Sequence, residues 1–175
     1  MRLFVAAELP ESLIDALSET SARLRSTVHG RYVGSDLYHV TLAFLGEVPS
    51  GDASLAGDAV RKACEGHEPF LATLGSLGTF GRSSSADLWQ GFAQGHDRFW
   101  ELARDVRAEL SNAWFSFDAK GFIPHVTLMR RADVTQGTLP MPCVDKGTIS
   151  TVTLFLSDLS GARPRYDAME RISLL

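Results

Sequence analysis

A tetrapeptide that occurs twice constrains the fold of this 175-residue chain more than any other feature. The sequence His-Val-Thr-Leu stands at residues 39–42 and again at 125–128. Valine and threonine favour strands, and successive side chains of a strand point to opposite faces. In each copy the valine and leucine can therefore anchor a core, while the histidine and threonine share the other face. If the two strands lie side by side about a pseudo-two-fold axis, that face carries two imidazoles and two hydroxyls.

Two imidazoles and two hydroxyls on one surface suit the cleavage of a phosphodiester. An imidazole titrates near pH ~6.5, so one of His39 and His125 can take a proton from water while the other gives a proton to a leaving oxygen. The hydroxyls of Thr41 and Thr127 can donate hydrogen bonds to the non-bridging phosphate oxygens. A single copy of the motif would be an ordinary strand. The second copy, with its polar pair in the same phase, favours the catalytic interpretation.

The repeated His-hydrophobic-Thr-hydrophobic motif resembles the signature of the 2H phosphoesterase superfamily. The surrounding sequence is similar to its bacterial RNA 2′,3′-cyclic phosphodiesterase branch, historically called 2′–5′ RNA ligases. The similar segments are RLFVA at 2–6 followed by Leu9-Pro10, HVTLAFLGEV at 39–48, PHVTLMR at 124–130, and residues 154–174 with Arg165-Tyr166. The resemblance covers nearly the whole chain and is weak in its middle and at 132–145.

This resemblance implies an α+β fold of two pseudo-repeat lobes, with two mostly antiparallel sheets around a central cleft and helices on the outside. It implies hydrolysis of RNA 2′,3′-cyclic phosphate ends to 2′-phosphate, without a metal or cofactor. By position, His39 matches the proton donor to the departing 3′ oxygen and His125 the base that activates water. Thr41 and Thr127 match the phosphate-binding hydroxyls. Which histidine is acid and which is base depends on how the substrate lies, and the sequence leaves this open.

Arg130 matches a basic residue that often follows the second motif in this family. Strict alternation places Arg130 on the face of Val126, away from His125. A bulge or the end of the strand would be needed to turn it toward the phosphate. Arg131 has the right parity and competes with it.

Charge and composition indicate which class of partner the chain binds. The formal net charge is −4, whereas proteins that grip long nucleic acid non-specifically carry a basic surplus. We therefore expect the chain to hold an RNA terminus or a small cyclic-phosphate nucleotide. Cys64 and Cys143 form neither a disulfide framework nor a zinc pattern. With no signal-peptide core and no run near the ~20 apolar residues of a membrane span, we expect a soluble cytoplasmic monomer with one domain, residues 1–175.

Hydrophobic periodicity predicts three helices and seven strands. The helices are expected at 11–28, 51–65 and 96–113, and the strands at 3–9, 38–46, 70–80, 87–92, 122–130, 148–156 and 166–174. Residues 81–85 are expected to form a turn or a mobile loop. Most tryptophans, and Phe44 among the phenylalanines, are assigned to packing, and Arg104 and Arg107 to a solvated helix face. Because strict βαβ alternation is absent, the pattern favours α+β with antiparallel sheets.

Two alternatives remain open from the sequence. One is a related 2H enzyme that acts on small cyclic nucleotides or on 2′–5′ linkages, including 2′–5′ RNA ligation. The other is a non-catalytic module that binds RNA ends. Product identity and substrate length would separate the enzymes, and a pure binder would not need both His39 and His125.

Overall fold

Two antiparallel sheets and three helices make up the computed structural model, which describes all residues from Met1 to Leu175. The helices are α1 (Glu11–Leu24), α2 (Ala53–Cys64) and α3 (His96–Asn112). The strands are β1 (Arg2–Ala7), β2 (His29–Tyr32), β3 (Val40–Glu47), β4 (Phe70–Arg82), β5 (Ser85–Gln94), β6 (His125–Asp133), β7 (Lys146–Ile149), β8 (Thr151–Asp158) and β9 (Arg165–Ser173). The first sheet has the order β3-β1-β8-β9 and the second β2-β6-β5-β4-β7, with every pairing antiparallel. The predicted α+β class is confirmed.

The chain reaches its two motif strands in the same way. In each half a strand leads into a helix, and a motif strand antiparallel to the first follows: β1–α1–β3 and β5–α3–β6. The first half differs in that β2, which pairs with β6 in the second sheet, lies between α1 and β3. Ala6 lies opposite Thr41 in one half, and Trp89 lies opposite Thr127 in the other. The repeated tetrapeptide is therefore part of a repeated strand–helix–strand unit.

The main core lies behind the motif strands. Val40, Leu42, Val126 and Leu128 are fully buried and belong to one cluster of 37 buried residues to which both sheets and all three helices contribute. Burying one such side chain stabilises the fold by about 1.5–3 kcal/mol. This burial fixes the rotation of each motif strand, so that the intervening histidines and threonines point away from the core.

The strand prediction is wrong in two places, because pairing with distant strands determines the structure there. Periodicity does not predict β2, since His29–Tyr32 has no alternating apolar pattern; the strand forms by pairing with β6. Gly30 permits this pairing, because a Cβ there would lie 2.9 Å from the Cα of Ala132. The predicted strand at 148–156 is in fact two strands that separate at Ser150: β7 joins β4 in the second sheet and β8 joins β1 in the first.

Two smaller predictions need correction. Helix α1 ends at Leu24 rather than near residue 28. Trp100 and Trp114 are 48% and 95% exposed and are not core residues. The turn predicted within 81–85 is confirmed at Ser83 and Ser84, which join β4 to β5, while Arg82 and Ser85 already pair as strand residues. Cys64 and Cys143 are free, and none of the helices is long and apolar enough to span a membrane.

Candidate active site

The two motif histidines are held in the same way. His39 directly precedes β3, and its Nδ1 lies 2.7 Å from the carbonyl oxygen of Leu37. His125 begins β6, and its Nδ1 lies 2.6 Å from the carbonyl oxygen of Ile123. A carbonyl only accepts hydrogen bonds, so each Nδ1 carries the proton and donates it. Both neutral imidazoles therefore have an unprotonated Nε2, which is the form that can accept a proton.

The two threonines differ in their contacts. The Oγ1 of Thr41 lies 2.9 Å from Nε2 of His39 and, with that nitrogen unprotonated, donates the hydrogen bond. Thr127 makes no corresponding bond to His125. The Nε2 of His125 is consequently free to bind water, whereas the Nε2 of His39 is occupied by Thr41 until His39 becomes protonated or substrate displaces the hydroxyl.

A one-residue bulge interrupts both motif strands at the same place. Leu42 has no partner between the pairs Ala6–Thr41 and Val5–Ala43, and Leu128 has none between Trp89–Thr127 and Leu88–Met129. Leu42 and the following Ala43 are both buried, and so are Leu128 and the following Met129. The bulge shifts the alternation of side chains by one residue. The side chain that follows Ala43 or Met129 therefore points to the same face as the histidine and threonine.

The bulge determines where Arg130 and Phe44 point. Strict alternation places Arg130 away from His125, but the bulge turns it to the same face, where it lines one cavity with both histidines and both threonines. It pairs there with Asp87 at 3.3 Å. Arg131, which has a positive φ of 52°, does not line this cavity. Phe44, at the matching position in β3, packs with a small aromatic cluster on the same face instead of the main core.

The cavity has a volume of about 540 Å³ and lies between the two motif strands. Besides the motif residues it is lined by side chains from β2, the hairpin, β9 and the loop before β9. The sequence interpretation does not assign several of them, namely Arg31, Phe80, Asp87, Arg163 and Tyr166. Only Arg165-Tyr166 carries a signal, as part of the family resemblance; the others come together through strand pairing that no local pattern indicates.

Aromatic rings enclose each imidazole. His39 contacts Phe4 and meets the Tyr166 ring edge-to-face, with centroids 5.4 Å apart. His125 meets Phe80 edge-to-face at 5.0 Å and contacts Trp89. A Cβ at position 78 would overlap the Trp89 ring, so the glycine there makes room for that ring. The rings limit rotation of the imidazoles and exclude water from their flanks.

Burial makes both imidazoles harder to protonate than usual. Burial is the main cause that lowers the pKa of His39 to about 4; the hydrogen bond to the Leu37 carbonyl opposes it, while Arg130 and His125 lower it. Burial also lowers the pKa of His125, with the same opposition from its carbonyl partner and a further decrease from Arg130. A bound anion would reverse this tendency, since negative charge favours the protonated form.

Comparison with known proteins identifies the family. The family model described as the 2′-5′ RNA ligase superfamily matches residues 10–141, and the chain belongs to this superfamily, the 2H phosphoesterases. It is 35% identical over 130 residues to the RNA 2′,3′-cyclic phosphodiesterase of Geobacillus stearothermophilus, covering 73% of this chain and 41% of that protein. It is 30% identical over 177 residues to the Escherichia coli RNA 2′,3′-cyclic phosphodiesterase, covering 99% of this chain and 96% of that one. The crystal structure of Escherichia coli LigT complexed with 3′-AMP superposes with a TM-score of 0.81 at 27% identity, covering 99% of this chain and 97% of that chain.

Proposed function

We propose that this chain is an RNA 2′,3′-cyclic phosphodiesterase that hydrolyses the cyclic phosphate at an RNA end to a 2′-phosphate. The observation that carries the proposal is the lining of one cavity. Two imidazoles, each with Nε2 unprotonated, line this cavity together with two threonine hydroxyls and Arg130. The activity of the Escherichia coli relative, which aligns over nearly the whole chain, supports it. So does the 3′-AMP bound by Escherichia coli LigT, which is a nucleotide with a phosphate on its ribose.

The proposed reaction is an in-line displacement at phosphorus. Nε2 of His125 takes a proton from water, and the oxygen of that water attacks the phosphorus. The bond from phosphorus to the 3′ oxygen breaks as Nε2–H of His39 protonates that oxygen. Thr41, Thr127 and Arg130 donate hydrogen bonds to the non-bridging oxygens, on which charge increases in the transition state. No step uses a metal, a cofactor or a covalent enzyme intermediate.

The role of His39 as acid depends on the substrate. With a pKa of about 4, His39 is almost entirely neutral at pH 7. The cyclic phosphate brings a negative charge next to this imidazole, offsets the effect of Arg130, and raises the pKa. Protonated Nε2 then donates, which frees the hydroxyl of Thr41 to turn to the phosphate.

The activity is tested with a short RNA that ends in 2′,3′-cyclic phosphate, in the presence of EDTA. We expect the unaltered protein to produce a 2′-phosphate, and His39→Ala and His125→Ala each to lose at least ~10²-fold in kcat. Thr41→Val and Thr127→Val keep the side-chain shape and should each lose about 10-fold or more in kcat/KM. Full activity in a histidine variant would contradict the role of that residue, and a product other than the 2′-phosphate would contradict the proposed reaction.

A second substrate separates the acid from the base. When sulfur replaces the 3′ oxygen of the cyclic phosphate, the leaving thiolate needs no protonation, so a missing acid matters less. We expect the sulfur substrate to restore much of the activity of His39→Ala and little of that of His125→Ala. The opposite pattern would mean that His125 is the acid and His39 the base, while both histidines remain catalytic.

The remaining expectations are also proposals. RNA ends as the substrate are consistent with the small cavity, and a cytoplasmic location is consistent with the free Cys64 and Cys143. A monomeric state is tested by the mass of the protein in solution. Turnover of cyclic mononucleotides alone, or joining of RNA ends through a 2′–5′ bond, would point to another activity within the superfamily. Binding of RNA ends without turnover would point to a binding module.

A further inference from the structure

The cavity is basic although the protein as a whole is acidic. Arg31, Arg130 and Arg163 line it, and Asp87 is the only carboxylate that does so, in a chain of net charge −4. Arg130 pairs with Asp87 at 3.3 Å, and Arg163 pairs with Asp36 at 2.7 Å. Arg31 has no ion pair and donates no side-chain hydrogen bond. Arg31 is thus the one arginine of the cavity whose charge is not paired with a carboxylate.

Strand register shows that Arg31 projects into the cleft. Arg31 lies directly opposite Arg130, and Tyr32 lies opposite Met129. Side chains of directly opposed residues share a face of the sheet. Since Met129 is buried in the main core and Tyr32 packs against it, both arginines point to the cleft. Like charges that face each other across two strands are destabilising, so this pair favours a bound anion.

Arg31 lies one strand farther from His125 and Thr127 than Arg130 does. Arg130 lies on β6, the strand that also carries His125 and Thr127, whereas Arg31 lies on β2, the edge strand next to β6. An RNA end that carries a 2′,3′-cyclic phosphate has its next phosphate on the 5′ oxygen of the same nucleotide. That second phosphate is separated from the first by the ribose, and so it needs a cation beyond Arg130.

We propose that Arg31 binds the phosphodiester on the 5′ oxygen of the terminal nucleotide, so that the cleft recognises two phosphates. The proposal rests on the proposed function and defines its substrate class: RNA of two or more nucleotides is preferred to a cyclic mononucleotide. A guanidinium suits this role because it forms paired, charge-assisted hydrogen bonds with phosphate oxygens.

Three substrates and two variants test the proposal. The substrates are uridine 2′,3′-cyclic phosphate, the dinucleotide ApU ending in the same cyclic phosphate, and that dinucleotide with a neutral methylphosphonate linkage. Arg31→Gln is compared with Arg131→Gln, since Arg131 is an exposed arginine of the same sheet that has no ion pair and does not line the cavity. We expect Arg31→Gln to lower kcat/KM about 10-fold for the charged dinucleotide and less than about 2-fold for the other two substrates. Arg131→Gln should leave all three values unchanged.

Other patterns overturn the assignment. An equal loss on all three substrates would mean that Arg31 acts on the reacting phosphate or on folding, and no loss on the charged dinucleotide would mean that it binds no phosphate. If the unaltered protein turns over none of the substrates, the proposed function fails, and calorimetric binding of the dinucleotide and mononucleotide 2′-phosphates decides on Arg31 separately. An affinity advantage of the dinucleotide that disappears in Arg31→Gln supports the second phosphate site; an advantage that persists refutes it.

Discussion

At the scale of single residues, the hydrogen-bond partner of each imidazole defines what the site can do. The carbonyls of Leu37 and Ile123 fix the protonated nitrogen of His39 and His125, so that Nε2 is the unprotonated nitrogen in both neutral rings. The sequence predicts the four motif residues and their shared face from alternation alone. It cannot predict that Thr41 bonds its histidine while Thr127 does not, because this depends on the side-chain rotamers within each motif.

The low pKa of His39 makes stability depend on pH. The pKa is about 4 in the folded protein and 6.5 ordinarily, so between these values the unfolded chain binds a proton that the folded chain does not. The free energy of unfolding therefore falls as the pH decreases through this window, by ~3 kcal/mol once the pH is below 4, and this contribution is fully present above pH 6.5. We expect His39→Asn, measured by urea unfolding from pH 7 to pH 4, to lose stability less steeply than the unaltered protein.

The comparison needs a control for the carboxylates, which titrate in the same range. His96→Asn, which removes an exposed imidazole at the start of α3, is the matched histidine control. If the curves of His39→Asn and the unaltered protein run parallel over the whole window, the imidazole of His39 is not selectively disfavoured in its charged form.

At the scale of elements, the two bulges explain why alternation predicts the motif side chains well and the residues after them poorly. Pattern reasoning assumes period two along the whole strand, and it holds as far as Thr41 and Thr127. After each bulge the phase changes by one residue, which is why Arg130 and Phe44 both lie on the face opposite to the one that alternation gives. Strand pairing creates the bulge, so the local sequence does not reveal it.

Arg107 links the two motif regions, contrary to its expected place on a solvated helix face. It is half-buried on α3; its Nε donates to the carbonyl of Leu42, the bulged residue of β3, at 3.0 Å, and its Nη1 donates to the carbonyl of Lys120 at 2.9 Å. Its guanidinium also lies against the rings of Phe117 and Phe122, in the segment that leads to His125. One side chain thereby ties the strand of one histidine to the approach of the other.

We expect Arg107→Met to destabilise the protein by about 1–3 kcal/mol, because two carbonyls lose a charged donor. Activity at a temperature where the variant is folded should also decrease, since the spacing of the motif strands is less fixed. Urea unfolding and kcat/KM measure the two effects. Arg104→Met on the same helix removes an exposed pair with Asp105 and should change the free energy of unfolding much less than Arg107→Met does; an equal effect of both substitutions would deny Arg107 a special role.

At the scale of the whole molecule, charge is separated between an acidic chain and a basic cavity. The net charge of −4 predicts from the sequence that only a terminus and one or two phosphates are held. It cannot show where the balancing cations lie, because Arg31, Arg130 and Arg163 come from three distant parts of the chain that only the two sheets bring together.

This separation predicts how affinity depends on RNA length. With His125→Ala to prevent turnover, RNAs of 2, 5 and 20 nucleotides that end in cyclic phosphate should bind with dissociation constants within about threefold of one another. The salt dependence should be shallow, with a slope of about −0.7 for each phosphate neutralised and hence about −1 to −2 in all. Fluorescence anisotropy from 50 to 300 mM KCl measures both; affinity that increases steadily with length would instead indicate a basic surface outside the cavity.

The first sheet is assembled from the two ends of the chain. Strand β1 pairs with β3 on one side, but on the other side it pairs with β8, whose residues lie about 150 positions later. During synthesis on the ribosome, one edge of β1 therefore stays unpaired until about 150 further residues have emerged. Contacts that close such long loops form slowly, and an open strand edge is a site of aggregation until they do. The part of the nascent chain that carries His39 therefore needs protection by chaperones until β8 has been made.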